Sequence, residues 1–496
     1  MAHFSLLAAM VMVFAVVGAA FGAEPGLPGA GEPMAAPHPF EALLGSRIQR
    51  TMTLLETSDE MRHPTIRILC YGQSIVAQGH VSRAIEKMAK ERYPHAKVEV
   101  RNSAIGGYTA PTLVRPAIQD IASWYPDLVV FHVYDGEDSG ELERIVRDIR
   151  TQTTAELLMW THHLDFYGPD GTERDAGRDH ASNIRRLLAQ KYGAELVELR
   201  EEWRAWLAAN PRINRKDLLV DNIHLNAKGG ELMAELVMRH FRYNTLFPSF
   251  WADRIRGYEA RTALEEPASP ITLTGSWKRW GNAAGIDTPG SSGTLRLAFR
   301  GNRVTAELWP VGGKQGHAKV LIDGRSPSQW RQAYAVTRSN PNPLNAGRPM
   351  CNRLIPGPTP IAENWTIHLS DISEDGKKFK FTAVGSVTGP DGEGTNETAV
   401  FTSKSGRISF EPRDITLDDI AGYMKKPCPK EADLICSVVL LGTDEFTCSA
   451  TVAKGDVPEV TLIQGIPNGE HVLEIVTAGD GPVAIKELTV HRPPVE

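Results

Sequence analysis

A serine and an aspartate–histidine pair stand at two places in the sequence where they could cooperate in nucleophilic catalysis. In ILCYGQSIVAQGH, an apolar run ends at Gly72 and Ser74 follows at the start of a more polar segment. In DNIHLNAKGGELMAELV, Asp221 and His224 directly precede an amphipathic segment. A serine hydroxyl needs a base to become a nucleophile, and the base needs a carboxylate that orients it. Either segment alone is also typical of an ordinary turn or helix start.

The elements around these residues alternate between strands and helices. Strands are predicted at TIRILCYG, KVEVRN, DLVVFHVYD, AELLMWTHH and AELVEL. Helices are predicted at SRAIEKMAKERYP, LVRPAIQDIASWYP, ELERIVRDIRTQ, ASNIRRLLAQKYG and GGELMAELVMRHF. Apolar strands separated by amphipathic helices predict an α/β fold with a parallel sheet covered on both faces. Ser74 then lies at the carboxyl edge of the sheet, where such folds bind ligands.

Four short blocks occur in order along this region. They are GQS after the first strand, NSAIGG after the second, VYDG after the third and DNIHLN before the last helix. With these blocks, residues 62–245 resemble the SGNH hydrolases, which are the GDSL-type esterases and lipases. The resemblance implies an SGNH-type three-layer α/β/α domain. It also implies that Ser74 is the nucleophile, His224 the base and Asp221 the carboxylate that orients the base.

The resemblance further implies an oxyanion hole, with the backbone N–H groups of Ser74 and Gly107 as donors. The third block departs from the family, because Tyr134 stands where its members have a hydrogen-bonding asparagine. Tyr134 is either a third donor or a packing residue. If Tyr134 only packs, the oxyanion hole has two donors, or its third donor is one of the histidines at the ends of the third and fourth strands: His132, His162 and His163.

Other residues near the blocks are candidates for contact with substrate. They are Gln73, which replaces the usual acidic residue of the first block, together with Gly106, Tyr108 and His163. The histidine pair in WTHH binds substrate, binds a metal or simply ends a strand, and the last interpretation is favoured. No metal and no cofactor is expected. The acidic residues of the following loop fit no calcium-binding pattern and are expected to be solvated: Asp135, Glu137, Asp138 and Glu141.

The pattern changes after the α/β region. We expect a leader and N-terminal helix at residues 23–61, an SGNH domain at 62–258 and a linker at 259–270. Short alternating strands bounded by turns then predict a jelly-roll-like β-sandwich at residues 271–496, with an insertion at about 326–430. Its scattered tryptophans are expected in the core rather than stacked on sugars: Trp277, Trp280, Trp309 and Trp330.

The N-terminus and the composition indicate the compartment. Residues 1–22 have the apolar core and small residues of a signal peptide, although an uncleaved anchor is the alternative. We therefore expect an exported protein, periplasmic or extracellular. A net charge of −6 without a Lys/Arg-rich run favours neither nucleic acid nor a membrane surface as partner. Cys70 is expected to be a buried thiol, whereas the other four cysteines leave three pairings open, of which Cys436 with Cys448 is plausible.

Together these features predict an exported serine esterase that removes acyl groups, expected to be O-acetyl groups, from a poly- or oligosaccharide through an acyl-enzyme. The carbohydrate substrate follows only from the resemblance to carbohydrate esterases that join an SGNH domain to a β-sandwich. The alternative is a catalytically degenerate SGNH scaffold whose β-sandwich binds glycan or the cell surface. Tyr134, in place of the asparagine, is the reason to keep that alternative.

Overall fold

The computed structural model describes residues 40–245, 247, 250–287, 290–313 and 315–495. The predicted signal peptide and most of the leader therefore lie outside the described residues. In the described part of the chain, no helix is both long enough and apolar enough to cross a membrane. The chain forms an α/β domain (residues 40–245), a C-terminal β unit (residues 250–333 and 441–495) and an inserted β unit (residues 334–440).

The α/β domain contains a five-stranded parallel sheet, which confirms the predicted sheet type. Its strands are β1 Thr65–Gly72, β2 Lys97–Asn102, β3 Leu128–His132, β4 Glu156–Trp160 and β5 Glu195–Val197, in the order β2-β1-β3-β4-β5. Its helices are α1 Gln49–Glu56, α2 Ser74–Ala77, α3 His80–Arg92, α4 Ala110–Leu113, α5 Ala117–Ala122, α6 Glu141–Gln152, α7 Asp175–Tyr192, α8 Leu199–Ala209 and α9 Ala227–Met238.

Alternate residues of the strands face two separate apolar cores. Ile68 and Cys70 of β1 pack in the core shared with α1, α3, α8 and α9. Leu69 and Tyr71 pack in the core shared with α4, α5, α6 and α7. The domain therefore has three layers, and the carboxyl ends of its strands lie along one edge of the sheet.

Two helix predictions need correction. The segment predicted as one helix at LVRPAIQDIASWYP forms two short helices, α4 and α5, because Pro116 lacks an N–H group and disfavours helical backbone before it. The second correction is α8, which was not predicted at all. Its buried residues Leu199, Trp203 and Trp206 have helical spacing, but the preceding strand is shorter than expected and ends at Val197.

The C-terminal β unit begins with β6 Ile255–Glu259, α10 Thr262–Glu265, β7 Ile271–Gly275, β8 Lys278–Trp280, β9 Ala283–Ile286, β10 Gly293–Leu308 and β11 His317–Ile322. The inserted β unit follows with β12 Tyr334–Val336, β13 Pro341–Asn342, β14 Asn345–Pro349, β15 Leu354–Pro356, β16 Glu363–Ser370, β17 Lys380–Gly385, β18 Gly389–Thr395, β19 Phe401–Thr402, β20 Ile408–Phe410, α11 Leu417–Met424 and β21 Ala432–Leu440. The chain then returns to the C-terminal β unit with β22 Glu445–Thr447, β23 Glu459–Thr477 and β24 Val483–His491.

Strand pairing moves two of the expected boundaries. β6 pairs with β24, so the α/β domain ends before Ile255 rather than at residue 258, and α10 lies within the segment expected to be a linker. β21 is a central strand of the sheet β12-β21-β16-β17-β18, so the insertion continues to Leu440 rather than ending at about residue 430. The long strands β10 and β23 pair through register shifts that bend them around the core of the C-terminal β unit.

All five cysteines are buried free thiols. The pairing of Cys436 with Cys448 is wrong, because Cys436 packs in the core of the inserted β unit and Cys448 in that of the C-terminal β unit. Burial raises the pKa of the Cys70 thiol to about 12, which leaves it protonated and inert.

The inserted β unit docks on the α/β domain beside the loop that follows β2. Arg338 donates to Asp120 Oδ1 at 3.1 Å, and the Tyr108 hydroxyl donates to Asn352 Oδ1 at 2.6 Å. Tyr71, at the end of β1, donates to the same Asp120 carboxylate at 2.8 Å. These buried polar contacts fix the hairpin of β13 and β14 next to the carboxyl edge of the parallel sheet.

Candidate active site

The turn after β1 requires a glycine at position 72. Gly72 has φ +145°, and a Cβ atom there would lie 1.8 Å from the His132 carbonyl oxygen on β3. The glycine lets the two strand ends approach, and the Gln73 N–H then donates to that carbonyl at 3.3 Å. Ser74 begins α2 immediately afterwards, so the chain turns sharply from strand to helix at the sheet edge.

A Ser–His–Asp triad is assembled across 150 residues of sequence. His224 Nε2 lies 2.8 Å from Ser74 Oγ, and His224 Nδ1 lies 2.7 Å from Asp221 Oδ2. A carboxylate only accepts, so Nδ1 carries the hydrogen and Nε2 is free to accept from the serine hydroxyl. The structure therefore brings together all three residues predicted to carry the chemistry, in the order and with the tautomer that nucleophilic catalysis needs.

The loop before α9 holds the aspartate in place. Asp221 Oδ1 accepts the backbone N–H groups of Ile223 and His224, each at 2.8 Å. Burial alone would raise the pKa of Asp221, but these two bonds and the bond to the imidazole outweigh it and lower the pKa to about 2. The carboxylate is thus ionised at neutral and mildly acidic pH, although its side chain is 54% exposed.

Two backbone N–H groups are available to stabilise an oxyanion. Among the described residues, neither the Ser74 N–H nor the Gly107 N–H has a hydrogen-bond acceptor. The Ser74 N–H lies in the first turn of α2, where such groups have no partner within the helix. The loop that carries Gly107 is tied to the nucleophile turn, because the Ile105 N–H donates to the Gly72 carbonyl at 2.8 Å.

Tyr134 is engaged elsewhere in the resting structure. Its hydroxyl lies 3.3 Å from His163 Nδ1, and His163 Nε2 lies 2.8 Å from the Ile223 carbonyl oxygen. The carbonyl can only accept, so Nε2 carries the hydrogen of a neutral ring, whose pKa burial lowers to about 4. Nδ1 is therefore the acceptor, and Tyr134 donates its hydroxyl hydrogen to His163 rather than toward an oxyanion.

Most of the residues predicted to contact substrate are placed behind the site. His163 is completely buried and joins β4 to the loop of Asp221 and His224. Gln73 and Tyr108 are 2% and 5% exposed, so they support the turn and the docked unit instead of lining a cleft. Gly106 is partly exposed, and its carbonyl accepts a hydrogen bond from the inserted β unit.

A buried chain of side chains continues from Gln73 into the protein. Gln73 Nε2 lies 3.1 Å from His132 Nδ1, His132 Nε2 lies 3.0 Å from His162 Nδ1, and His162 Nε2 lies 3.3 Å from Glu137 Oε1. The Glu137 carboxylate can only accept, so His162 Nε2 carries the hydrogen and His162 Nδ1 accepts from His132 Nε2. His132 Nδ1 in turn accepts from the Gln73 amide nitrogen, and each donor in the chain therefore lies on the side away from Glu137. Burial, and after it the nearby Arg185, lower the pKa of both histidines and keep them neutral.

This chain fixes the orientation of the Gln73 amide. Because the amide nitrogen donates to His132, Oε1 faces the nucleophile, where it accepts the Ile75 N–H at 2.9 Å and lies 2.8 Å from Ser74 Oγ. Glu137 was expected to be solvated, but its side chain is 7% exposed and bonds to Arg185 at 2.7 Å. Nothing in the local sequence distinguishes this acid from its exposed neighbours, because its partner is 48 residues away.

Arg348, on β14, was not among the predicted site residues. Its Nε donates to the Gly106 carbonyl at 3.0 Å, and a Cβ atom on Gly107, whose φ is +78°, would lie 2.0 Å from its Nη2. The sequence carries no signal for this contact, since 242 residues separate Arg348 from Gly106. Within the described residues, no cluster of three or more His, Cys, Asp or Glu side chains is arranged to bind a metal ion.

No family model and no curated protein matches the sequence. Similar solved structures include the acetyl xylan esterase AlAXEase, which is 22% identical, covers 34% of this chain and 97% of its own, and has a TM-score of 0.30. A two-domain esterase active on acetylated mannans, co-crystallised with mannopentaose, is 12% identical over 91% of this chain and 95% of its own, with a TM-score of 0.32. Axe2, an acetylxylan esterase from Geobacillus stearothermophilus, is 14% identical over 38% of this chain and 100% of its own, with a TM-score of 0.32. Likenesses this low do not show a family, and the proposed roles rest on the geometry of the site.

Proposed function

We propose that this protein is an exported serine esterase of the SGNH type that removes acyl groups, chiefly O-acetyl groups, from carbohydrate. The observation that carries the proposal is the pair of hydrogen bonds that joins Ser74 Oγ to His224 Nε2 and His224 Nδ1 to Asp221. A serine that merely ends a turn needs neither an imidazole with a free acceptor nitrogen nor a carboxylate behind it.

The first half-reaction follows from the positions of the protons. His224 Nε2 takes the Ser74 hydroxyl proton as the serine oxygen attacks the ester carbonyl. Asp221 stabilises the imidazolium that forms. The negative charge on the former carbonyl oxygen is stabilised by the N–H groups of Ser74 and Gly107. The bond between the carbonyl carbon and the sugar oxygen then breaks, His224 gives its proton to that oxygen so that it leaves as a hydroxyl, and the acyl group remains on Ser74.

The second half-reaction uses the same groups. His224 accepts a proton from water, the hydroxide attacks the acyl carbonyl, and the proton returns to Ser74 as the carboxylic acid leaves. Tyr134 takes no direct part in either step, because its hydroxyl hydrogen is donated to His163. It acts through His163 and the Ile223 carbonyl, which hold the loop between Asp221 and His224.

Polar and aromatic groups around the triad support a sugar substrate. Lys216 donates to the side chain of Asn222 at 3.0 Å beside the exposed Asp221. Beside the Gly107 loop, Tyr423 is 69% exposed and lies next to Arg348, with 5.0 Å between the guanidinium carbon and the ring centroid. An exposed aromatic face among hydrogen-bonding groups suits a sugar ring better than a fatty acyl chain. Export is proposed from the sequence of residues 1–22.

Labelling with a fluorophosphonate tests the proposal directly. The native protein should be modified at Ser74, and it should release free acetate from p-nitrophenyl acetate and from at least one acetylated polysaccharide. Ser74→Ala should lose both the label and the acetate release while its thermal unfolding stays nearly unchanged. Correctly folded native protein that is not labelled at Ser74 would instead favour the degenerate scaffold.

A further inference from the structure

Arginines in the contact between the inserted β unit and the α/β domain are paired with carboxylates, with Arg348 as an exception. Arg338 pairs with Asp120, and Arg115 and Arg353 both pair with Glu411 and Asp414. Within the described part of the chain, no carboxylate lies in ion-pair distance of Arg348, and its only hydrogen bond is that from Nε to the Gly106 carbonyl. Asp419 is the acid in its surroundings: burial raises the pKa of that carboxyl, and the Arg348 guanidinium acts against the rise without forming an ion pair. The two terminal nitrogens of Arg348 are therefore left without a protein acceptor.

The unpaired guanidinium is nevertheless held in place. The bond from Nε fixes one edge of the group, and its carbon lies 5.7 Å from the ring centroid of Tyr108 and 5.0 Å from that of Tyr423. Tyr108 is itself fixed by its bond to Asn352. Arg348 is half-buried, so a compensating anion would be only partly screened by water. A planar guanidinium whose Nε is held by a hydrogen bond and whose two terminal nitrogens are open can donate to both oxygens of a carboxylate.

The location of this fork connects it to the reaction. Nη2 lies 2.0 Å from the point where a Cβ on Gly107 would stand, and Gly107 is one of the two proposed oxyanion donors. An anion bound by Arg348 would therefore lie beside the loop that carries this proposed oxyanion donor, close to the acyl group under attack. On a polysaccharide, that places the anion on the acylated sugar or on its direct neighbour.

We propose that Arg348 binds a carboxylate of the substrate, so that the enzyme prefers O-acylated sugars in or next to a uronic acid. This inference deepens the proposed esterase function and rests on it. The inserted β unit then contributes part of the substrate site, because the strand that carries Arg348 belongs to it. Removing the carboxylate charge from an otherwise identical sugar chain should remove the preference.

Binding can be measured without turnover. In Ser74→Ala protein, calorimetric titration should show an oligogalacturonide binding at least about tenfold more tightly than the same oligosaccharide with methyl-esterified carboxylates, as expected for one charge-assisted hydrogen-bonded pair. Ser74→Ala/Arg348→Gln should lose this difference. Ser74→Ala/Arg348→Lys should retain part of it, because lysine keeps the charge but lacks the fork. The control is Ser74→Ala/Arg325→Gln, which removes an exposed arginine from the other β unit and should keep the difference.

Kinetics separate substrate binding from support of the oxyanion loop. With otherwise native protein, Arg348→Gln should raise KM for acetylated oligogalacturonide at least about tenfold more than it raises KM for the same substrate with methyl-esterified carboxylates. An equal loss on both substrates would overturn the inference, because Arg348 would then act by holding the Gly106 peptide. Equal affinity for the free acid and its methyl ester would also overturn it. Binding of the acid through Arg348 without any acetate release would support the carboxylate site and reject the esterase function.

Discussion

Ser74 Oγ has two neighbours that can accept its hydrogen, and only one of them leads to reaction. His224 Nε2 and Gln73 Oε1 both lie 2.8 Å from the oxygen. Donation to Nε2 prepares the oxygen for attack, whereas donation to the amide oxygen leaves the base without a proton to take. The chain of His132 and His162 keeps that amide oxygen facing the serine, so the buried residues set the balance between the two states.

Asp221→Asn should lower kcat on a soluble acetate ester on the order of 10⁴-fold, because an amide can donate to His224 Nδ1 and so place the ring hydrogen on Nε2. The wrong tautomer cannot accept the proton of Ser74. Steady-state kinetics of the purified variant measure the effect, with thermal unfolding as the control for folding. A loss smaller than about tenfold would show that the backbone of the loop orients the imidazole without the carboxylate.

Tyr134→Phe should lower kcat by less than about tenfold, because the hydroxyl donates to His163 and not to the oxyanion. Loss of a true oxyanion donor costs about 10²–10³ in kcat. The variant should instead lose about 1 kcal/mol of unfolding free energy, since it leaves His163 Nδ1 buried without a donor. Kinetics and urea unfolding on the same preparation distinguish the two roles, and a fall in kcat above about 100-fold would assign the oxyanion to Tyr134.

Short loops at the ends of strands, rather than the strands themselves, determine the site. β1 and β3 must meet closely enough for the Gln73 N–H to reach the His132 carbonyl, which Gly72 alone permits at that position. After β2, Gly107 takes a left-handed conformation and leaves room for Arg348. The regular elements supply a rigid edge, and these glycines allow backbone and side chains to come within reach of the acyl group.

Two neighbouring glycines offer a matched pair of variants. Gly107→Ala should lose about 1–2 kcal/mol of unfolding free energy, because φ is +78° and the new Cβ would overlap Arg348 Nη2. Gly106→Ala should be nearly neutral, since no atom lies within 4 Å of its added Cβ. Urea denaturation of both variants measures the difference. Equal stabilities would mean that Gly107 neither has a left-handed backbone nor packs against Arg348 in solution.

The three units of the molecule are joined by buried polar groups. Thr154 Oγ1 of the α/β domain lies 3.0 Å from His491 Nδ1 of β24, and burial lowers the pKa of this histidine well below its usual value of 6.5. His132, His162 and His163 are likewise buried and neutral behind the active site. These four buried imidazoles are therefore neutral in the folded protein.

Mild acid should destabilise the whole molecule. The unfolded chain binds protons at histidines near pH 6.5 while folded His163 does so only near its pKa of about 4, so stability falls as pH drops between these values. The shift in the pKa of His163 alone corresponds to a loss of about 3 kcal/mol of unfolding free energy once the pH lies below both pKa values. Glu156 acts in the opposite sense, because burial raises its pKa to about 7 in the folded state. Burial also raises the pKa values of four other carboxyls: Asp148, Asp414, Asp419 and Glu487. We expect the four fully buried histidines to outweigh these carboxyls.

Urea unfolding at about pH 7.5 and about pH 5 measures the balance of these effects. The unfolding free energy should be lower at the more acidic pH, and His491→Gln should show a smaller decrease than the native protein because it removes one of the titrating groups. The same decrease in His491→Gln and in the native protein would contradict the inference that His491 is neutral in the folded state.

The sequence by itself determined the parallel α/β character of the first domain and, through the resemblance to the SGNH hydrolases, the three residues predicted to form the triad. Alternation of apolar strands with amphipathic helices is a local property, and parallel strands place the residues that follow them at one edge. Their positions make Ser74 and the pair Asp221 and His224 candidates, and the resemblance carried by the four blocks implies their roles. The apolar spacing of α8 is visible in the sequence, but the predicted strand AELVEL extends to Leu199 and so covers the first residue of the helix.

Only the tertiary structure decided what surrounds the triad. Whether Tyr134 donates to an oxyanion depends on the tautomer of His163, which the Ile223 carbonyl sets from another loop. Glu137 is buried because Arg185 meets it from α7, and Arg348 reaches Gly106 from a unit far along the chain. Hydrogen bonds and burial between distant segments have no local pattern, because they depend on how whole units pack and not on the spacing of neighbouring residues.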